Sequence, residues 1–224
     1  MSYILGIDTA GPEGSIALAR NGRMAWMQAL PPGGHSGGLS EAVADLLDDV
    51  GIELRSVEAF AVNEGPGSFT GLRIGLAWAK GAALGSGRPL VLVRAHEAMG
   101  RTHATRAERI VTAIPGARGS LEASLWEGLD EAWGPEMFEE GDLIPTLIER
   151  GTVQGLAIVA LTPKLAASLA EEAKEEGIAM LEHRPMAGAV AEIGARLLQE
   201  RGPVDLANAA PAYGREPNAR KPGS

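Results

Sequence analysis

The segment Gly65-Pro66-Gly67-Ser68-Phe69-Thr70-Gly71 constrains this chain more than any other. An apolar run, Val57 to Val62, precedes it, and a helical pattern from about Leu72 to Leu84 follows it. It therefore joins a strand to a helix. Its three inner and flanking glycines remove side chains, Ser68 and Thr70 can cap, and backbone N–H groups at the helix start favour an anion. The frame of a P-loop and its Lys are missing, and Ser68 lacks the Gly-x-Ser-x-Gly frame of a nucleophile elbow. A tight turn without ligand uses the same glycines equally well.

Around this loop the first hundred residues alternate in a legible way. Tyr3 to Asp8 is a short strand ending in a carboxylate, Ser15 to Arg20 a second, and Met24 to Leu30 a third. Asn21-Gly22 between the last two is a strong hairpin signal. After the loop Pro31 to Gly38, the residues Leu39, Ala42, Val43, Leu46, Leu47 and Val50 fall on one helical face that Gly51 ends. Pro89 to Val93 is a fifth strand. The order β-β-β-α-β-α-β with right-handed crossovers predicts a mixed five-stranded sheet with the first strand central, as in a ribonuclease H-like or actin-like half-domain.

The second half is less regular. Arg109 to Ile114 and Leu121 to Glu127 pair around Pro115-Gly116-Ala117-Arg118-Gly119, Leu156 to Ala160 is a buried strand, and Leu165 to Glu176 and Ala187 to Gln199 are helices. Three units are expected: a lobe over 1–104, a reduced second lobe over 105–201, and a loosely held tail over 202–224 rich in Pro, Gly and Ala.

Composition narrows the function classes. The 224 residues contain no cysteine, which excludes a disulfide scaffold, a thiolate metal site and a cysteine nucleophile. A net charge of −9 argues against gripping nucleic acid unaided, because phosphate binding needs clustered Lys and Arg. No apolar run approaches the roughly 20 residues of a membrane span, so a soluble, cytoplasmic protein without membrane contact is expected.

Several residues could carry chemistry. Asp8 stands at the carboxyl end of the central strand, where ligands gather in open α/β sheets, with Thr9 beside it; it could equally cap a turn. Glu64 follows the neighbouring strand, so Asp8 and Glu64 could face one metal site. The four histidines, His35, His96, His103 and His183, form no His-x-x-x-His or His-Glu-x-x-His pair and read as structural, with His35 alone in a plausible functional loop. Gly71, Gly75 and Ala79 lie four apart and make a smooth stripe, with Ile74, Trp78 and the apolar face of the Leu39–Val50 helix beside it. Such a stripe serves close helix packing, within the chain or at a subunit interface.

Ile4-Leu5-Gly6-Ile7-Asp8-Thr9, His35-Ser36 ahead of a Leu-rich helix, and Gly65-Pro66-Gly67-Ser68-Phe69-Thr70-Gly71-Leu72-Arg73-Ile74-Gly75 together resemble the TsaB (YeaZ) family. The resemblance covers about the first hundred residues. It implies an actin-like ATPase fold of two related lobes, the second reduced, and a glycoprotease-like (peptidase M22) kinship with TsaD. It implies a non-catalytic activator subunit in the making of threonylcarbamoyladenosine on tRNA. The partners it implies are a TsaD-type transferase and a TsaE-type ATPase, with tRNA met only through the complex and a homodimer when the chain is alone. It implies no catalytic residue, no metal, and no cofactor in this chain alone, with ATP or ADP at the partner interface. The partner contact is expected at Leu39, Val43, Leu46, Gly71, Ile74, Gly75, Trp78 and Ala79. The family motif, with its potential for an anion, falls on Asp8, Thr9, Gly65, Gly67, Ser68, Thr70, Gly71 and Arg73. The family's Asp-Ala-Arg in the second lobe is replaced by Gly116-Ala117-Arg118, while Pro211-Ala212-Tyr213-Gly214-Arg215 keeps its C-terminal Pro-x-Tyr-x-Arg.

Two other readings compete with the activator: a small metal-dependent ATPase or phosphotransferase using Asp8, Thr9 and Glu64, and a hydrolase using Ser68. The second has no base near its nucleophile in the sequence.

Overall fold

A computed structural model describes residues 2–30, 38–139 and 141–212. The first sheet contains β1 (Tyr3–Asp8), β2 (Ser15–Arg20), β3 (Arg23–Ala29), β4 (Val57–Gly65) and β5 (Leu90–Arg94), in the order β3-β2-β1-β4-β5. The first strand is central, as the connections predict. Asn21 and Gly22 both take positive φ at the β2–β3 turn, as a two-residue hairpin of this type requires. Two helices, α1 (Leu39–Val50) and α2 (Phe69–Ser86), cover one face of this sheet. Leu5, Ile7, Leu18 and Phe60 are fully buried beneath them, each side chain contributing about 1.5–3 kcal/mol through its removal from water.

The second sheet holds β6 (Arg109–Pro115), β7 (Leu121–Glu127), β8 (Asp130–Phe138), β9 (Leu156–Ala160) and β10 (Ala179–Leu181), ordered β10-β9-β6-β7-β8. Taken from its own first strand, this repeats the strand order of the first sheet. The lobe is therefore not reduced in strands. What is smaller is its helical cover, α4 (Leu143–Glu149) and α5 (Pro163–Glu175), packed on its outer face.

Between the sheets lie α3 (Ala95–His103) and α6 (Ala187–Arg201) in one shared core with Ile4, Ala61, Ile110 and Trp126. The expected boundary at 104/105 is corrected by α6, which returns to the first sheet. A Cβ on Gly6 would overlap the Ala187 carbonyl, and one on Gly194 would overlap Ala61. Side-chain-free contact of this kind brings α6 down onto β1 and β4 and explains why β1 is buried along its whole length.

The expectation of a loose tail from 202 is corrected over its first part. Val204 N–H donates to Leu90 O (2.9 Å), Lys80 Nζ donates to Ala209 O (3.0 Å), and Ala212 N–H donates to Glu64 O (2.7 Å). Residues 203–212 thus strap the edge of β5 and reach the Gly-rich loop. Tyr213 and Arg215, like His35 and Ser36, lie outside the described residues.

Candidate functional site

Asp8 and Asn63 end two parallel neighbours, and the register Ile7↔Val62 places them side by side. Asp8 Oδ1 accepts from Asn63 Nδ2 (2.9 Å) and from Ala10 N–H (3.1 Å), while Asn63 Oδ1 accepts from Gly65 N–H (2.9 Å). A buried carboxylate thus holds the amide that fixes the start of the Gly-rich loop. The expectation that Asp8 faces Glu64 is corrected here. Successive residues of a strand point to opposite faces, so with Asn63 turned to Asp8, Glu64 turns away. Burial raises the Glu64 carboxyl above its ordinary range, opposed by the Arg94 guanidinium.

The β1–β2 turn fills the mouth of the loop. Ser68 N–H donates to Ala10 O (2.7 Å), and Thr9 Oγ1 donates to Gly71 O (2.8 Å). A Cβ on Gly67 would lie 2.6 Å from Ala10 O, and Cβ atoms on Gly71 and Gly75 would overlap the Thr9 carbonyl and hydroxyl. Gly65, at φ +109°, faces the Ala212 carbonyl. Ser68 caps α2 by accepting from Gly71 N–H (3.2 Å). The glycines of the motif are therefore required by the approach of Thr9, Ala10 and Ala212. Thr70 and Arg73 stay on the exposed side, with Arg73 over the Phe69 ring at 3.7 Å.

Of the eight residues expected at a partner contact, six are turned inward: Leu39, Val43, Leu46, Gly71, Gly75 and Ala79 are buried within the chain. Ile74 and Trp78 are half-buried, and Trp78 Nε1 donates to Ser40 Oγ (2.9 Å), joining α2 to α1. The outward side of α2 is a second row of small and apolar residues, Ala77, Gly81, Leu84 and Gly85. Leu84 is 76% exposed, and Cβ atoms on Gly81 and Gly85 would meet nothing within 4 Å. The sequence signal was present: Ala77, Gly81 and Gly85 repeat the four-residue spacing one row over, but spacing alone does not say which row faces the sheet.

Three of the histidines, His96, His103 and His183, lie among the described residues. The helix α3 runs through His103, and His96 and His103 are both buried on it. His96 bridges to the second sheet, with Nδ1 2.8 Å from Thr112 Oγ1 and Nε2 3.1 Å from Glu122 Oε1. His103 Nδ1 donates to Met99 O (2.9 Å), and its ring stacks on His183 with centroids 6.1 Å apart. Burial, with the charge of His103 added, lowers the His183 pKa to about 4. Among the described residues, no three His, Asp or Glu side chains are grouped to hold a metal ion, and no helix is long and apolar enough to cross a membrane.

The family model for TsaD, tRNA N6-adenosine threonylcarbamoyltransferase, matches residues 33–194. The tRNA threonylcarbamoyladenosine biosynthesis protein TsaB of Escherichia coli K12 is 35% identical over 135 residues, 56% of this chain and 58% of that protein. A tRNA N6-adenosine threonylcarbamoyltransferase of Lawsonia intracellularis is 34% identical over 103 residues, 39% of this chain and 29% of that protein. The chain thus spans little more than half the length of the curated TsaB relative it matches. Among solved structures, YeaZ from Pseudomonas aeruginosa aligns with a TM-score of 0.77 at 22% identity, over 94% of this chain and all of that one. An activator of 2-hydroxyisocaproyl-CoA dehydratase from Clostridium difficile, with bound ADPNP, shares the fold at a TM-score of 0.52 and 8% identity, over 88% of this chain and 96% of that one. The family match over most of the chain, with TsaB and YeaZ proteins among its relatives, means that this chain belongs to the TsaD-related family, in its TsaB (YeaZ) branch.

Proposed function

We propose that this chain acts in the biosynthesis of threonylcarbamoyladenosine on tRNA as a non-catalytic subunit that pairs with and activates a TsaD-type transferase. The observation that carries the reading is the filling of the Gly-rich loop by the chain's own β1–β2 turn. Ala10 O takes the Ser68 N–H, and Thr9 lies against Gly71 and Gly75. At the start of a helix those groups would otherwise favour a phosphate; here they support the docking of α2.

The pairing surface in this reading is the outward row of α2, Ala77, Gly81, Leu84 and Gly85, with Ile74 and Trp78 at its margin. Glycines inside a helix cost about 1 kcal/mol each relative to Ala, and among the described residues neither Gly81 nor Gly85 has a neighbour that requires it. Small residues on an exposed row let a second helix come close. A TsaE-type ATPase joins the pair, ATP or ADP sits at the partner interface, tRNA is met through the complex, and the assembly works in the cytoplasm. The same row serves a homodimer when the transferase is absent.

Association with a TsaD-type transferase, followed by light scattering, tests this surface. Gly81→Arg and Leu84→Glu alter only exposed positions. Each should weaken pairing at least about tenfold, a change of about 1.4 kcal/mol, while the monomer loses no thermal stability. Pairing at wild-type strength in both variants, or no pairing of the wild-type chain, would refute the assignment.

A further inference from the structure

The two edges of the first sheet are treated differently. At β5, residues 203–212 lie across the edge and Val204 N–H donates to Leu90 O. At β3 the strand pairs with β2 alone. No described residue caps its outer side with a ladder of backbone hydrogen bonds. An open edge is a template for another strand, and proteins usually cover or disrupt it. The first half of β3 is disrupted in this way, since its register against β2 shifts between Leu18 and Ala19 and Met24 N–H donates to Glu192 Oε1 (2.8 Å). The second half borders a cleft of about 600 Å³ whose strand wall is Trp26, Met27 and Gln28 and whose helix wall is Asp45, Leu46, Asp48 and Asp49 of α1.

The charges of the helix wall are uncompensated. Asp45, Asp48 and Asp49 are exposed, and among the described residues none is in an ion pair or side-chain hydrogen bond. They occupy the C-terminal half of α1, whose last turn has no basic residue, so they also oppose the negative end of the helix dipole. Arg20 of the neighbouring β2 lies over the Trp26 ring at 5.4 Å and is in no ion pair with them among the described residues. The two walls match in length: three strand residues span about 7 Å, and Asp45 to Asp49 rise about 6 Å along the helix. Alternate side chains of an extended peptide, about 6.8 Å apart, fit that interval.

We propose that this cleft binds an extended basic segment of another polypeptide as a sixth strand. The segment's backbone pairs with the outer edge of β3 from Trp26 onward, and its inward Lys or Arg side chains meet Asp45 and Asp49 beside the Trp26 ring. A strand laid between an edge strand and a helix is a known peptide-recognition mode, in which the backbone supplies affinity and alternate side chains supply specificity. The aspartates select for positive charge.

The test uses three labelled ten-residue peptides with the full chain: alternating Val-Lys, alternating Val-Glu, and alternating Pro-Lys, which keeps the charge but cannot donate to a strand ladder. Fluorescence anisotropy should show binding of Val-Lys at least about tenfold tighter than of either other peptide. Amide resonances of residues 26–29 should shift in a nitrogen-edited NMR titration. The variant Asp45→Asn/Asp48→Asn/Asp49→Asn, changed only at exposed positions, should lose at least tenfold in affinity. Equal binding of Pro-Lys would reduce the site to charge attraction and overturn the added strand. Equal binding of Val-Glu, unchanged affinity of the triple variant, or no binding of Val-Lys would overturn the proposal outright.

Discussion

Thr9 lies against Gly75 so closely that no side chain fits between them, and the Thr9 hydroxyl in turn donates to Gly71 O at 2.8 Å. Sequence spacing makes Gly71, Gly75 and Ala79 one stripe with either an internal or an external use. The contact with Thr9 decides for the internal one. Gly75→Ala should destabilise the monomer by about 2 kcal/mol, since overpacking a closed contact outweighs the gain in helix propensity. Gly81→Ala, on the open row, should stabilise it by about 1 kcal/mol. Urea unfolding measures both, and shifts of the same sign would refute the assignment of the two rows.

The Asp8–Asn63 pair anchors the Gly-rich loop to the central strand. Asn63→Leu removes one donor from a buried carboxylate and the acceptor of Gly65 N–H. Hydrogen bonds to charged groups contribute about 1.5–3 kcal/mol, so thermal unfolding should show a loss of at least about 2 kcal/mol. Wild-type stability in this variant would mean that the loop is held by its glycine contacts alone.

The histidine pair between α3 and the segment entering α6 makes stability depend on pH. The folded pKa of His183 lies at about 4, below the ordinary value of 6.5, so between these two values the unfolded chain binds the proton and the folded chain does not. Stability therefore falls as pH drops through that window and is fully kept above it. Burial lowers the His103 pKa as well, with the Arg106 and Arg184 charges adding to the effect against hydrogen bonds to Met99 O and Glu182 O. Going from pH 7.5 to 4.5, His183 should account for about 2 kcal/mol of lost stability. In His183→Phe that part of the slope should vanish, and urea midpoints at several pH values read it directly. A slope unchanged in the variant would assign the acid sensitivity to other groups.

Most of the first lobe could be read from the residues because each element there carries its own local signal. The Asn21-Gly22 turn, the period of Leu39 to Val50 and the glycines of 65–71 each fix a local conformation that the tertiary structure keeps. Four elements were hidden, three of them in the second lobe. The strand β8 contains Asp130, Glu131 and Gly134-Pro135, a composition that reads as a turn and is tolerated because β8 is an edge strand. The three residues of β10 are too few to show a period, the seven of α4 barely show one, and α3 begins directly at the end of β5 without a breaker. The placement of α6 was not legible at all, because its Ala- and Gly-rich faces fit either sheet and only the close approach to Gly6 and Ala61 selects the first. The candidate site was legible as a motif but not in its use: Asp8, Gly67 and Gly71 were found, while the partner of Asp8 is Asn63 rather than Glu64.

The strap over residues 203–212 should be part of the stable fold. Ending the chain after Gly202 removes the hydrogen bonds to Leu90, Lys80 and Glu64 and exposes the cluster around Ala209 and Leu206. Backbone that is hydrogen-bonded and buried does not tolerate truncation, so the melting temperature should fall by several degrees. Ending it after Ala212 should leave the described contacts intact and shift the melting temperature far less. Equal effects of the two truncations would remove the strap from the account.

Reconstituted threonylcarbamoylation of tRNA by a TsaD-type transferase, a TsaE-type ATPase and the enzyme that forms the carbamoyl-adenylate, with and without this chain, is the measurement closest to the central claim. Modification should require the chain, fall at least about tenfold with Leu84→Glu, and proceed while the purified chain alone turns over no ATP. Modification that is indifferent to the chain, or magnesium-dependent ATP turnover by the chain alone that is lost in Asp8→Ala, would contradict it.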